Sequence, residues 1–171
     1  MEFYDILRNR HSVRHFADKR VEAKKIRAIV DATMSAPSAG NLQSYRIHVI
    51  HSAEAKESLV AAASYQEFIA KTPLVVIFCA DLKRAESKYE QRGFELYATQ
   101  DATIACAYAQ LAATNEGLSS VWVGGFEPLE VSRIIQAMPY EVPVAILAVG
   151  YPAETPEATG RRPVSDMVKE L

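Results

Sequence analysis

Three separated stretches of this chain carry side chains suited to gripping an anion. They are Arg10-His11-Ser12-Val13-Arg14, Pro37-Ser38-Ala39-Gly40-Asn41-Leu42-Gln43 and Arg161-Arg162-Pro163. An arginine fork meets two phosphate oxygens at once, and a serine hydroxyl adds a further hydrogen bond. Asn41 and Gln43 each offer donor and acceptor, which suits a ligand edge that needs both. The first and last clusters lie about 150 residues apart in a chain of net charge −2. A phosphate held from two sides accounts for fixed positive charge in both places. Each stretch also has a plainer reading on its own. Arg10 can be a surface residue in a turn that ends a helix, and Pro37–Gln43 an ordinary polar turn. Arg14 can pair with Asp18, and Arg162 with Asp166 or Glu170.

Other chemistry is missing from the sequence. It contains no Gly-x-Gly-x-x-Gly, P-loop, His-Glu-x-x-His, Gly-x-Ser-x-Gly or Cys-x-x-Cys pattern. His48 and His51 fall at a spacing of three near a strand end, which does not suit a shared metal, and no metal site is expected. Glu86, Glu90 and Glu95 read as one solvated face. Anion grips and amides without an acid–base or nucleophile set fit a protein whose cofactor does the chemistry.

The elements that position these residues follow from pattern. With 171 residues, 49% of them hydrophobic and 23% charged, the chain suits one ordinary globular domain over residues 1–171. A pI near 6.1 argues against nucleic acid as a partner. No apolar run reaches the roughly 18 residues of a membrane span. The charged start Met1–Asp5 does not read as a secretory signal, and Cys79 and Cys106 sit in apolar surroundings as reduced thiols. Both features lead to a cytoplasmic expectation. Residues 2 to 9 suit a short helix. Apolar residues at 26, 29, 30 and 34 predict a helix over Glu22–Ser35 that Pro37 stops. Arg46–His51 alternates as a strand, and Ser52 is placed to cap a helix ending near Ala63. Leu74–Ala80 reads as a strand buried on both faces, and residues 82 to 92 as a solvated helix or loop. Phe94–Glu116 predicts a long, deeply buried helix, rich in alanine and closed by Gly117. Ser120–Gly124 and Val142–Val149 predict strands on either side of a short helix begun by Pro128. The chain beyond Pro152 reads as an extended arm. Strands separated by helices indicate an α/β or α+β class.

Taken in order, these residues resemble the nitroreductase-like FMN flavoproteins. Arg10-His11-Ser12-Val13-Arg14 is similar to their Arg-x-Ser-x-Arg/Lys signature, and Pro37-Ser38 with Asn41 and Gln43 to their Pro-Ser-x-x-Asn-x-Gln-Pro segment. Gly117-Leu118 followed by Val121-Trp122-Val123-Gly124-Gly125-Phe126 resembles a third signature. Gly150-Tyr151-Pro152 and Arg161-Arg162-Pro163 resemble the closing ones. The resemblance covers nearly the whole chain. It implies an α+β sandwich with a central mixed or antiparallel sheet flanked by helices. It also implies an intertwined homodimer with FMN at the interface, the alanine-rich helix at the dimer core and the C-terminal arm wrapping the partner.

The activity implied is that of an FMN-dependent oxidoreductase. Hydride passes from NADH or NADPH to flavin N5, and the electrons then pass to a nitroaromatic, quinone or flavin acceptor by a ping-pong cycle. A flavin-storing protein without turnover, or a flavin-fragmenting or dehalogenating relative, is the alternative. By resemblance, Arg10, Ser12 and the His11 backbone hold the FMN phosphate, and Arg161 closes on it with help from Arg162. Arg14 stands by the pyrimidine edge, with Gln66 near it. Pro37, Ser38, Ala39, Asn41 and Gln43 reach the flavin from the other subunit. Val123, Gly124 and Gly125 bring backbone N–H to N5. No side chain is assigned as an acid or base. The sequence departs from the pattern at Ser44, where proline is usual and a loosened loop is expected. Thr159 and Phe68 each replace a lysine, the latter leaving Arg14 as the lone cation beside the flavin.

Overall fold

The seven apolar residues from Leu74 to Ala80 form the strand on which the rest is built. In the computed structural model, which describes residues 1–157 and 159–171, they lie in β2 (Leu74–Asp81) with every side chain from Leu74 to Ala80 buried. Successive side chains of a strand point to opposite faces, so such a strand needs cover on both. Leu74, Val76 and Phe78 meet one cluster, and Val75, Ile77 and Cys79 meet another. Each such side chain contributes roughly 1.5–3 kcal/mol by leaving water.

The sheet has the order β1-β2-β4-β3, with β1 Tyr45–Ile50, β3 Ser119–Val123 and β4 Glu141–Gly150. All three pairings between strands are antiparallel. Among the described residues the only parallel contact is an isolated bridge from Ser12 to Ser120, so the antiparallel alternative holds for the four strands. Pro143 sits inside β4, where a missing N–H would normally break a ladder. Register shifts there, Phe78 facing Ala145 and Cys79 facing Pro143. β3 has already ended, because its pairing stops at Val123 with Ile146.

One face is covered by α2 (Ala23–Met34) and α6 (Ala98–Asn115), the other by α3 (Ala53–Ala62), α4 (Phe68–Lys71) and α7 (Pro128–Ile134). α1 (Phe3–Asn9) lies outside the first layer, and α5 (Leu82–Arg92) follows β2. Ser52 caps α3 by accepting from the Ala55 N–H at 3.3 Å. Pro128 stands at the start of α7. Among the described residues no helix is long and apolar enough to cross a membrane.

α6 differs from the sequence expectation in two ways. The turn leading into it, Gly93–Tyr97, is π-helical, and that turn follows a break at Glu90, where φ is +49° and ψ −138°. The helix is also not buried all round. Ala98, Ala102, Ala105, Ala109 and Ala113 form a stripe against the sheet, each fully buried. Ala107 and Tyr108 on the opposite side are exposed in the single chain. Cys79 and Cys106 belong to clusters on opposite faces of the sheet and are free thiols. Burial pushes the Cys79 thiol up to about 12, which leaves it protonated and inert.

Candidate functional site

Residues Arg10–Arg14 run alongside the edge strand β3. Ser12 bridges Ser120, and the Val13 N–H donates to the Ser120 carbonyl at 3.2 Å. Val13 is buried, so its neighbours Ser12 and Arg14 turn outward and are exposed. Three concavities open beside one another along this stretch. The first, about 320 Å³, is lined by Arg10, His11, Ser12, Arg14 and His15, with Glu154, Pro156, Glu157 and Thr159 of the C-terminal arm opposite. The second, about 680 Å³, shares Arg14 and His15 with it and adds Phe16, Tyr65, Phe68 and Lys71. The third, about 550 Å³, shares Phe16 and Lys71 with the second.

The arm is fastened by a residue that pattern reading does not single out. The Glu154 carboxylate accepts the Arg14 N–H at 2.6 Å and the His15 N–H at 3.0 Å. Its second oxygen lies 2.7 Å from His15 Nδ1. The Arg14 N–H first, then the His15 imidazole and backbone, hold the Glu154 carboxyl down to about 2. The Ala153 N–H donates to the His15 carbonyl and the Ala17 N–H to the Tyr151 carbonyl, each at 2.9 Å. Arm and N-terminal segment therefore form one wall.

Gln66, Gly124 and Gly125 come together at the far end of β3. The Gln66 amide donates to the Ala63 carbonyl at 3.0 Å and to the Gly125 carbonyl at 3.3 Å. A methyl group added at Gly125 would meet nothing within 4 Å, and one at Gly124 only the Trp122 indole, from 3.8 Å. Neither glycine has positive φ. Their use is steric: open space borders the backbone where a flat ligand can approach. Val123 is buried beneath them.

The Pro37–Gln43 segment lies elsewhere in the single chain. It leads into β1, one edge of the sheet, whereas Arg10–Arg14 flanks β3 at the other. Three strand spacings of about 4.8 Å separate the two edges, roughly 14 Å. The buried Asp101 of α6 holds the loop, accepting from the Ala39 N–H at 2.9 Å and the Ser44 N–H at 3.2 Å. Asp101 is a second residue missed in the sequence, although one acid in an alanine-rich helix is a visible signal. Ser44 is thus pinned, not loosened, because proline would lack the donor it uses. Gly40 has φ +53°, a backbone conformation that favours glycine, and a Cβ there would also displace the Tyr89 hydroxyl of α5.

Arg161 and Arg162 are exposed and do not line the first concavity. Arg161 donates to Thr159 and Gly160 of its own arm at 3.3 Å, and Arg162 to the Asp166 carbonyl at 2.8 Å. Thr159, expected where relatives carry lysine, does line it. Arg14 makes no ion pair among the described residues, so pairing with Asp18 is not observed. Nor is Arg14 the lone cation of the second concavity, since Lys71 lines it too.

Residues 7–64 and 58–151 match the Nitroreductase family. The chain belongs to that family. A protein of Methanothermobacter thermautotrophicus is 30% identical over 161 residues, spanning 91% of this chain and 80% of its own length. A Bacillus subtilis FMN reductase of the NAD(P)H type is 29% identical over 170 residues, 92% of this chain and 68% of that protein. The structure of B. megaterium NfrA2 superposes with a TM-score of 0.91 at 29% identity, covering 99% of this chain and 74% of that one. Membership in the Nitroreductase family makes the chain an NAD(P)H-linked flavin oxidoreductase in broad class.

Proposed function

We propose that residues 1–171 form one FMN-binding unit, that two such chains make a homodimer, and that FMN lies along the first two concavities. The observation that carries this is the Arg10–Arg14 trough, which joins an arginine–serine pocket to a wider cavity. The open backbone at Gly125 beside Gln66 supports it. The residues fit such a group. Arg10 makes no ion pair among the described residues and so keeps its fork for a phosphate. Glu154 in the same pocket is already committed to backbone amides and His15. The opposite placement of Pro37–Gln43 favours a second chain, since a partner's copy can bring that loop to the same ligand. Exposed apolar side chains on α1 and α6, among them Phe3, Tyr4, Leu7 and Tyr108, supply a face for it.

Bound FMN supplies the redox chemistry, accepting electrons from NADH or NADPH and yielding them to a small nitroaromatic, quinone or flavin in ping-pong fashion. The chain's own residues bind and orient. Arg10, His11 and Ser12 hold the phosphate, aided by Arg161 and Arg162 if the arm closes further. Arg14, at the junction of the two concavities, sets a fixed positive charge where negative charge gathers on the pyrimidine edge. Gly124 and Gly125 present backbone donors with no side chain in the way. No side chain acts as acid or base. His15 is engaged with Glu154.

Anaerobic addition of NADH or NADPH to the FMN-loaded protein tests the reading. Loss of the oxidised flavin absorbance is expected. Tight FMN with no bleaching by either donor would make the protein a flavin store.

A further inference from the structure

The third concavity is not used by the reading above. It is lined by Phe16, Asp18, Lys19, Arg20, Lys56, Ala70, Lys71, Thr72 and Pro73. Four cations face one carboxylate there, in a chain whose net charge is −2. Among the described residues Lys19, Arg20 and Lys56 make no ion pair. Lys71 has only an exposed contact to Glu67 at 4.0 Å, a geometry worth little in water. Lys56 is half-buried, its ammonium fixed by one bond to the Thr72 carbonyl at 2.9 Å, with further donors to spare. The Lys19 ammonium lies over the Tyr151 ring at 3.8 Å, which orders it, and the Glu22 carboxylate, which accepts from the Tyr151 hydroxyl, is near enough to feel its charge. Like charges gathered in a concavity repel, and a bound anion relieves that repulsion.

Its position names the anion. The concavity adjoins the second one through Phe16 and Lys71, on the side away from the Arg10 pocket. A reduced nicotinamide whose ring lies in the second concavity carries its diphosphate one ribose away. We infer that Lys19, Arg20, Lys56 and Lys71 bind the diphosphate of the dinucleotide donor. The inference rests on the proposed function, and it adds a recognition site that NADH and NADPH share.

The test uses the full-length FMN-loaded protein and a Lys19→Gln/Arg20→Gln double variant, both side chains being exposed. The donor concentration giving half-maximal flavin reduction should rise at least about tenfold for NADH and NADPH alike. Added salt should weaken the wild type more than the variant. The uncharged donor 1-benzyl-1,4-dihydronicotinamide, which has no phosphate, should reduce wild type and variant at the same rate. Equal loss with all three donors, or no change with any, overturns the inference. Inorganic diphosphate titrated calorimetrically into the flavin-free protein separates the two claims. Binding in the wild type and its loss in the double variant sustain the anion site even if no nicotinamide reduces the flavin. Absence of binding in the wild type refutes the site whatever the flavin does.

Discussion

At the residue scale, Gly125 separates what the fold needs from what a ligand needs. Glycine at Gly40 and Gly117 answers to the chain itself, with φ of +53° and +72°. Gly125 has ordinary φ and empty space around its missing side chain. Gly125→Val should therefore change stability by no more than about 0.5 kcal/mol, as for an exposed site without special geometry. FMN affinity in the same variant should fall at least about tenfold, because the branched side chain fills the approach. Thermal unfolding of the flavin-free protein and a flavin fluorescence titration give the two numbers. A large stability loss would return Gly125 to a structural role. Arg10, Ser12 and Arg14 were legible in the sequence because charge and hydroxyl at fixed spacing on an extended segment must share one side. Glu154 and Asp101 were not. Their partners are backbone N–H groups about 140 and about 60 residues away, and any residue type offers those.

At the element scale, most helices and strands were legible from apolar period and punctuation. β2 is a run, α2 follows the helical spacing, and Ser52, Pro128 and Gly117 mark ends where the structure has them. The π-helical turn at Gly93–Tyr97 left no such trace, since its apolar spacing continues that of α6. The buried face of α6 was readable, but which face stays open was not, because alanine lies on all sides. The C-terminal arm has few apolar contacts, so its attachment depends on Glu154. That carboxyl sits at about 2 in the folded chain against an ordinary 4.5. A lowered value means the contribution is complete above 4.5 and is lost as pH falls from there towards about 2. Wild type should be more stable than Glu154→Gln at neutral pH, and the gap should close over that acid range. Thermal midpoints of both proteins across pH check this, and a gap that stays constant would refute the carboxylate's role.

For the whole molecule, the proposed site draws on motifs at opposite sheet edges and therefore on two chains. Arg10→Ala and Asn41→Gly chains should each bind FMN weakly alone. Mixed and reassembled, they should recover roughly a quarter of the wild-type tight sites, because half the dimers are hybrids with one intact site each. No recovery would place the whole site within one chain. The proposed recognition of the phosphate by the Arg10–Ser12 pocket is more basic still, and it is best measured by titrating FMN and riboflavin in parallel into wild type and an Arg10→Ala/Ser12→Ala variant. The wild type should prefer FMN by about a hundredfold or more, since two bonds to a charged group are at stake, and the variant should bind the two flavins almost equally. A wild type that does not distinguish them, or a variant that keeps the full preference, would contradict the assignment.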